Sequence, residues 1–202
     1  MCGIVGYVGR EQAAPILLEG LSRLEYRGYD SAGVAVYSEK KGRLSVYKAK
    51  GRLRVLSDML QGGAAVDGTV GIGHTRWATH GAPSDVNSHP QISRSGRIAV
   101  VHNGIIENYA ELKAFLMEKG VPFASETDTE VVAQLIEYFY QGDLLEAVGR
   151  VLHRIQGAYA LGILCADFPD QLIAVRKDSP LILGYGDGCS FLASDVTAIL
   201  RH

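Results

Sequence analysis

Apolar residues fall in short runs along the whole chain, and their spacing switches between a period of two and one near 3.6. Ile4, Val5, Tyr7 and Val8, set among glycines at 3, 6 and 9, predict a short buried strand. Helical spacing follows, with Ile16, Leu17, Leu21 and Leu24 on one face of a segment from Glu11 to Glu25 and Pro15 near its first turn. Val34 to Tyr37 and Leu44 to Tyr47 predict a hairpin closed by the turn Glu39 to Gly42, and Arg52 to Leu60 a short helix. A strand from Thr69 to Gly73 runs into a polar loop that continues to Pro90, and a second strand, Arg97 to Val101, ends at His102-Asn103-Gly104. Helices are predicted over Glu107–Glu118, Thr129–Tyr140 and Leu144–Ile155. Four further strands are read at Ala158–Leu164, Gln171–Val175, Leu181–Leu183 and Phe191–Ala193, with a helical turn from Val196 to Leu200.

Strand hairpins alternate with groups of helices, and the β-α-β rhythm of a parallel sheet is missing. The pattern predicts an α+β domain of mostly antiparallel sheets. Its 202 residues fit one domain, without repeat or linker. Hydrophobic residues at 47% and charged residues at 21% suit a soluble globular core. A net charge of −2 gives no electrostatic pull toward nucleic acid or anionic membrane. No apolar run approaches the ~18 residues of a membrane span. Three cysteines, widely spaced and odd in number, argue for a reducing compartment, hence the cytoplasm. The 24 glycines, about 12% against a usual ~7%, call for many tight turns between short strands.

Chemistry concentrates in a few polar stretches. Cys2 follows the initiator methionine, whose removal leaves a thiol and a free α-amine on one residue. The reference pKa values, about 8 for the amine and about 8.5 for the thiol, let the amine serve as a built-in base. A lipidation signal needs an apolar segment before the cysteine, and only Met1 precedes it. Asn103 and Gly104 at a strand end can aim an amide and a backbone N–H at one point, although the dipeptide equally suits a plain turn. Arg76, Thr79 and His80, with Trp77 between them, supply a planar cation and polar donors suited to a carboxylate. His74, His80, His89 and His102 lack the spacing of a metal site, so no metal or other cofactor is expected. Thr127 and Glu130 form a capping-box pattern that holds Asp128 at a helix start, where a carboxylate can meet an ammonium. The glycine-rich run from Gly184 to Gly188 is read as a turn, Cys165 as structural, and Cys189 as lacking a base.

These stretches occur in a telling order: MCGIVGYVG, LEYRGYDSAG, GIGHTRWATHGAPSDVNSHP, VHNGIIENY and SETDTE, then GAYAL at Gly157–Leu161 and ASD at Ala193–Asp195. The chain thereby resembles the glutaminase domains of the glutamine–fructose-6-phosphate aminotransferases. Those are class II glutamine amidotransferases of the N-terminal-nucleophile hydrolase fold. MCGI alone is shared with other amidotransferases, whereas LEYRGYDSAG together with HTRWATHG singles out the sugar-phosphate enzymes. The resemblance implies a four-layer αββα sandwich of two mostly antiparallel sheets.

It also implies roles. Cys2 is similar to the nucleophile, with its own α-amine as base, and Asn103 and the Gly104 N–H to the oxyanion hole. Arg76, Thr79 and His80 correspond to the group holding the glutamine α-carboxylate, and Asp128, helped by Gly104, to the partner of its α-amine. Arg27 resembles the arginine that orders the nucleophile's surroundings, and Trp77 the lid over the glutamine pocket. The implied reaction is hydrolysis of L-glutamine through a Cys2 thioester, with ammonia passed to fructose 6-phosphate in the full enzyme, a homodimer. The whole of 1–202 then reads as a glutaminase domain, incomplete at its C-terminus and without the sugar-isomerase domains. Two alternatives stand beside it: the glutaminase domain of a phosphoribosyl-type amidotransferase, and a non-catalytic glutamine-binding module.

Overall fold

The computed structural model describes residues 2–200. The strands are β1 Gly3–Val8, β2 Ser31–Ser38, β3 Arg43–Lys50, β4 Val70–Arg76, β5 Gln91–Ile92, β6 Ile98–Gly104, β7 Tyr159–Cys165, β8 Ile173–Lys177, β9 Ile182–Gly186 and β10 Cys189–Ala193. The helices are α1 Ala13–Ser22, α2 Leu53–Met59, α3 Tyr109–Glu118, α4 Asp128–Phe139 and α5 Leu144–Leu152. Six strands form one sheet in the order β3-β2-β4-β1-β10-β9, and four form the other in the order β5-β6-β7-β8. Every pairing between named strands is antiparallel.

Alternation along each strand sorts its side chains into three hydrophobic layers. Val5 and Tyr7 of β1, Val34 and Val36 of β2 and Phe191 of β10 pack outward on Leu17 and Leu21 of α1 and Leu53 and Leu56 of α2. Ile98 and Val100 of β6 and Leu161 and Ile163 of β7 pack outward on α3, α4 and α5. Between the sheets lie Ile4, Ile72 and Leu192 from the first, and Ala99, Val101 and Ala160 from the second. Two sheets enclosed by helices on both outer sides make the αββα sandwich. The sheets approach closely where a residue is small: a Cβ on Gly162 of β7 would sit 3.1 Å from a methyl of Leu192 on β10 of the other sheet.

Several element bounds differ from the sequence expectation, for identifiable reasons. The strand expected to stop at Gly73 continues through His74, Thr75 and Arg76, because Thr75 pairs with Gly3 and Arg76 with Ser31. The strand expected to stop at Val101 likewise runs on to Gly104, held by pairing of Asn103 with Ala160. Polar side chains end a hydrophobic pattern without ending a ladder. Arg76, Asn103 and Gly104 are therefore strand residues, not loop or turn residues. In the run taken as a turn, Gly184–Gly186 belongs to β9 and only Asp187–Gly188 turns. Strand β5, two residues long, was too short to register as a pattern.

Candidate active site

The same alternation collects the polar residues. Cys2 precedes Ile4 on the inward face of β1, His74 and Arg76 follow Ile72 on that of β4, and Asn103 follows Val101 on that of β6. All reach one end of the inter-sheet core, where a cavity of about 580 Å³ opens. Cys2, Arg27, Arg76, Trp77, Thr79, Asn103, Gly104 and Asp128 line it, together with His89, His102, Ile105, Ser179, Pro180 and Ser194. Of the residues given a role in glutamine chemistry by the resemblance, His80 alone is not in that lining. Its ring packs edge-on against Tyr109 at 4.9 Å, and its carbonyl instead accepts from Arg76.

The Cys2 sulfur lies against the backbone of Trp77, 3.2 Å from its N–H and 3.5 Å from its carbonyl. Burial pushes the thiol up from its ordinary range, and the Trp77 N–H opposes that only in part. A thiol so placed needs a base to become a nucleophile. Asn103 Nδ2 donates to the Cys2 carbonyl at 3.2 Å, and His74 Nε2 meets Asn103 Oδ1 at 3.0 Å. An amide nitrogen carries two hydrogens, so one remains for a further acceptor. Gly104 has φ +117°, and a Cβ there would lie 2.1 Å from the Ala158 carbonyl oxygen, so the position accepts glycine alone.

Arg76 is 3% exposed. Its Nη2 donates to the carbonyls of His80 and, at 3.1 Å, Gly81, while Nη1 has no partner among the described residues. A buried N–H without a partner costs about 1–3 kcal/mol, which a carboxylate would recover. Asp128, 4% exposed, opens α4, and its Oδ2 accepts from the Ile106 N–H at 2.9 Å. Thr127 caps that helix by accepting from the Glu130 N–H at 3.2 Å. The Glu130 carboxylate reaches past the cap, accepting from the N–H groups of Ala124 and Ser125 at 2.9 and 2.6 Å. Arg27 pairs with Asp195 and reaches the Cys2 carbonyl at 3.5 Å. The Thr197 N–H and the Tyr26 hydroxyl hold the Asp195 carboxyl well below the usual carboxylate range. The Trp77 side chain is 55% exposed at the cavity.

Sequence reasoning missed several contributors. Asp30 Oδ2 accepts from the Ala78 N–H at 2.6 Å and the Asp30 N–H donates to the Arg76 carbonyl at 2.8 Å, pinning the segment that carries the Trp77 amide. Its place inside the YRGYDS run was the available signal. His74, His89 and His102 were weighed only as metal ligands. Among the described residues no group of three or more His, Cys, Asp or Glu is placed to hold a metal ion. Instead the rings pack together, His89 lying tilted against His74 at 4.4 Å and parallel to His102 at 6.5 Å.

A thiol, amide donors, a buried cation with an unpaired N–H and a buried carboxylate share one cavity. Comparison with known proteins gives the same chemistry a family. The sequence profile of a family described as "Glutamine amidotransferase domain" matches residues 74–201, more than half of the chain. The glutamine–fructose-6-phosphate aminotransferase [isomerizing] of Caldanaerobacter subterraneus subsp. tengcongensis is 62% identical, over 100% of this chain and 33% of that protein. Its counterpart in Clostridium perfringens is 59% identical over the same shares. The chain thus spans about a third of the length of the curated relatives it matches. Among solved structures, the glutamine phosphoribosylpyrophosphate amidotransferase from B. subtilis superposes with a TM-score of 0.83 and 30% identity, over 98% of this chain and 42% of that one. A glutamine aminotransferase class-II domain protein from Silicibacter pomeroyi shares the fold, with a TM-score of 0.62 and 16% identity, over 95% of this chain and 88% of that one. On the profile match, this chain belongs to the glutamine amidotransferase family.

Proposed function

We propose that this chain hydrolyses L-glutamine to glutamate and ammonia. The observation that carries the reading is the charge layout of the cavity. Arg76 offers an unpaired N–H, and Asp128 faces the same space, so the two ends of an amino-acid zwitterion have partners. With its α-carboxylate at Arg76 and its α-amine at Asp128, glutamine extends its side-chain amide toward Cys2. Thr79 lies in the cavity to assist the clamp, and His80 contributes through the carbonyl that holds Arg76.

The chemistry then follows. The Cys2 α-amine, freed by loss of Met1, takes the thiol proton. The sulfur attacks the amide carbon, and the negative charge on oxygen is met by Asn103 Nδ2 and the Gly104 N–H. Collapse breaks the carbon–nitrogen bond, ammonia leaves with the proton from the α-amine, and water hydrolyses the γ-glutamyl thioester. Donors of this kind are worth about 2.7–4 kcal/mol each in the transition state. Arg27 holds the Cys2 carbonyl side of the site, and Trp77 covers its mouth.

The protein that contains this chain is proposed to be a cytoplasmic homodimer whose sugar-isomerase domains deliver the ammonia to fructose 6-phosphate. Identities of 62% and 59% to two sugar-phosphate enzymes, against 30% to the phosphoribosyl enzyme, favour that acceptor. The test is ammonia release from glutamine by protein whose mass shows Met1 removed. Glutamine binding without ammonia release would leave a binding module. Amination of a phosphoribosyl acceptor by the full-length protein would reassign the acceptor.

A further inference from the structure

We propose that His74 is the positioning residue for the oxyanion-hole amide, its Nε2–H fixing which end of Asn103 faces Cys2. The proposal rests on the glutaminase reading above and adds a residue to it. His74 and Asn103 stand on opposite sheets, both on inward faces, and meet at 3.0 Å through Nε2 and Oδ1. On its other side the Asn103 amide is 3.2 Å from the Cys2 carbonyl oxygen.

Chemistry fixes the hydrogens. A carbonyl oxygen only accepts, so the atom facing Cys2 must be the NH₂ end of the amide. Oδ1 therefore faces His74, and the ring nitrogen that meets it must carry the hydrogen. A neutral imidazole has one N–H, which leaves Nδ1 bare, and Nδ1 has no partner among the described residues. His74 is fully buried, with the His89 ring against it at 4.4 Å. Burial pushes its pKa down to about 3, so the ring keeps this one-donor state throughout the neutral range. Rotating the amide by a half turn would set oxygen against the Cys2 carbonyl and present an acceptor where the oxyanion forms.

Neighbouring histidines do not share the task. His102 lies one residue before Asn103 and so faces the helix layer, where its Nδ1 meets Thr129 Oγ1 at 2.9 Å. His89 meets His74 by a tilted ring-to-ring contact and has no hydrogen bond to Asn103 among those found. With His74 truncated, the amide would keep only its Nδ2 bond to the Cys2 carbonyl, and no hydrogen bond found among the described residues would hold Oδ1.

The test uses N-terminally processed protein and steady-state ammonia release from glutamine. His74→Gln can offer an amide N–H near the Nε2 position, whereas His74→Asn is too short. His74→Ala and His74→Asn are expected to lower kcat about 10- to 100-fold, part of the cost of a lost oxyanion donor, with KM nearly unchanged. His74→Gln is expected to restore most of that loss. In an Asn103→Ala background, His74→Ala should cost no more than about twofold further, the ordinary scatter of additivity. Thermal unfolding of each variant separates misfolding from misorientation, and the Gln/Asn pair keeps the test open if the alanine variant does not fold. Undiminished kcat in His74→Ala, equal rescue by Asn and Gln, or full additivity with Asn103→Ala each overturns the role of His74. If the wild-type processed protein itself releases no ammonia, the glutaminase reading fails first and the proposal with it.

Discussion

Asn103 donates its side-chain amide to the backbone carbonyl of Cys2 across 101 positions of sequence, at 3.2 Å. Cys2 immediately precedes β1 of one sheet and Asn103 lies on β6 of the other, so packing between the sheets registers the proposed nucleophile against its proposed oxyanion donor. The neighbouring Gly104 fixes the end of β6 in a conformation other residues reject, with φ +117°. Gly104→Ala is therefore expected to destabilise the fold by about 1–3 kcal/mol and to reduce turnover well beyond the loss in folded fraction. Urea unfolding paired with ammonia release checks both. An alanine variant of wild-type stability would show that the strand end relaxes freely.

Cys2→Ala is expected to abolish glutamine hydrolysis and to leave glutamine binding near wild type, because Arg76 and Asp128, the groups proposed to grip the zwitterion, lie on β4 and α4. Cys2→Ser should be nearly inactive too, since a hydroxyl at its ordinary pKa is a much weaker nucleophile than a thiol. Calorimetric binding beside the activity assay separates the two effects. Residual turnover above a small fraction in Cys2→Ala removes the nucleophile from its role.

Arg76→Ala and Asn103→Ala should fail in different ways. A carboxylate clamp grips ground state and transition state alike, so Arg76→Ala is expected mainly to raise KM, by roughly 10- to 100-fold. An oxyanion donor acts as charge develops, so Asn103→Ala should mainly lower kcat, by about 10²–10³. Swapped signatures would mean that clamp and oxyanion hole have been exchanged.

Stability should fall on mild acidification. Burial holds His74 at about 3, His89 well below its ordinary value and His102 also low, the last opposed by the Asp128 carboxylate. In the unfolded chain each histidine titrates near 6.5, so below that pH the unfolded state binds more protons than the folded one. The stabilisation is complete above about pH 6.5 and is lost as pH falls toward the folded values. His74, with its folded value near 3, contributes roughly 1.4 kcal/mol per pH unit in that window, and His89 and His102 act in the same direction. Unfolding midpoints measured from pH 8 to pH 5 test this, and a flat midpoint between 7 and 5 would exclude a neutral buried cluster.

Legibility from sequence followed the physics of each signal. The strand and helix order and the antiparallel α+β class were readable because continuous apolar runs mark strands buried on both faces, as at Val34–Val36, and period-3.6 patterns are strong where one side is buried, as along α5. The polar ends of β4 and β6 were not readable, because pairing partners such as Gly3 for Thr75 are non-local. The consequence reaches the site: Arg76 and Asn103 stand on rigid ladders, a firmer mount than the loops expected for them. Asp30 and His74 escaped because a residue that holds another residue in place carries no spacing signature. His80 looked like a ligand group by composition, and its geometry gives its carbonyl the contact with Arg76 instead.

The remaining prediction concerns Met1, which lies outside the described residues. While Met1 is attached, the nitrogen of Cys2 is an amide with no basic lone pair. The Cys2 thiol, already pushed up by burial, then has no base on its own residue. Among the neighbours, His74 is buried with a depressed pKa and faces Asn103, while Asp128 accepts from the Ile106 N–H. Neither has a hydrogen bond to the sulfur, whose described contacts are with the Trp77 backbone. Removal of Met1 is therefore expected to switch on glutamine hydrolysis with no change elsewhere in the chain. The comparison requires two preparations of known N-terminal mass, one retaining Met1 and one trimmed by methionine aminopeptidase, assayed for ammonia release. Equal activity in the two would rule out the α-amine as the base and direct the search to a group outside Cys2.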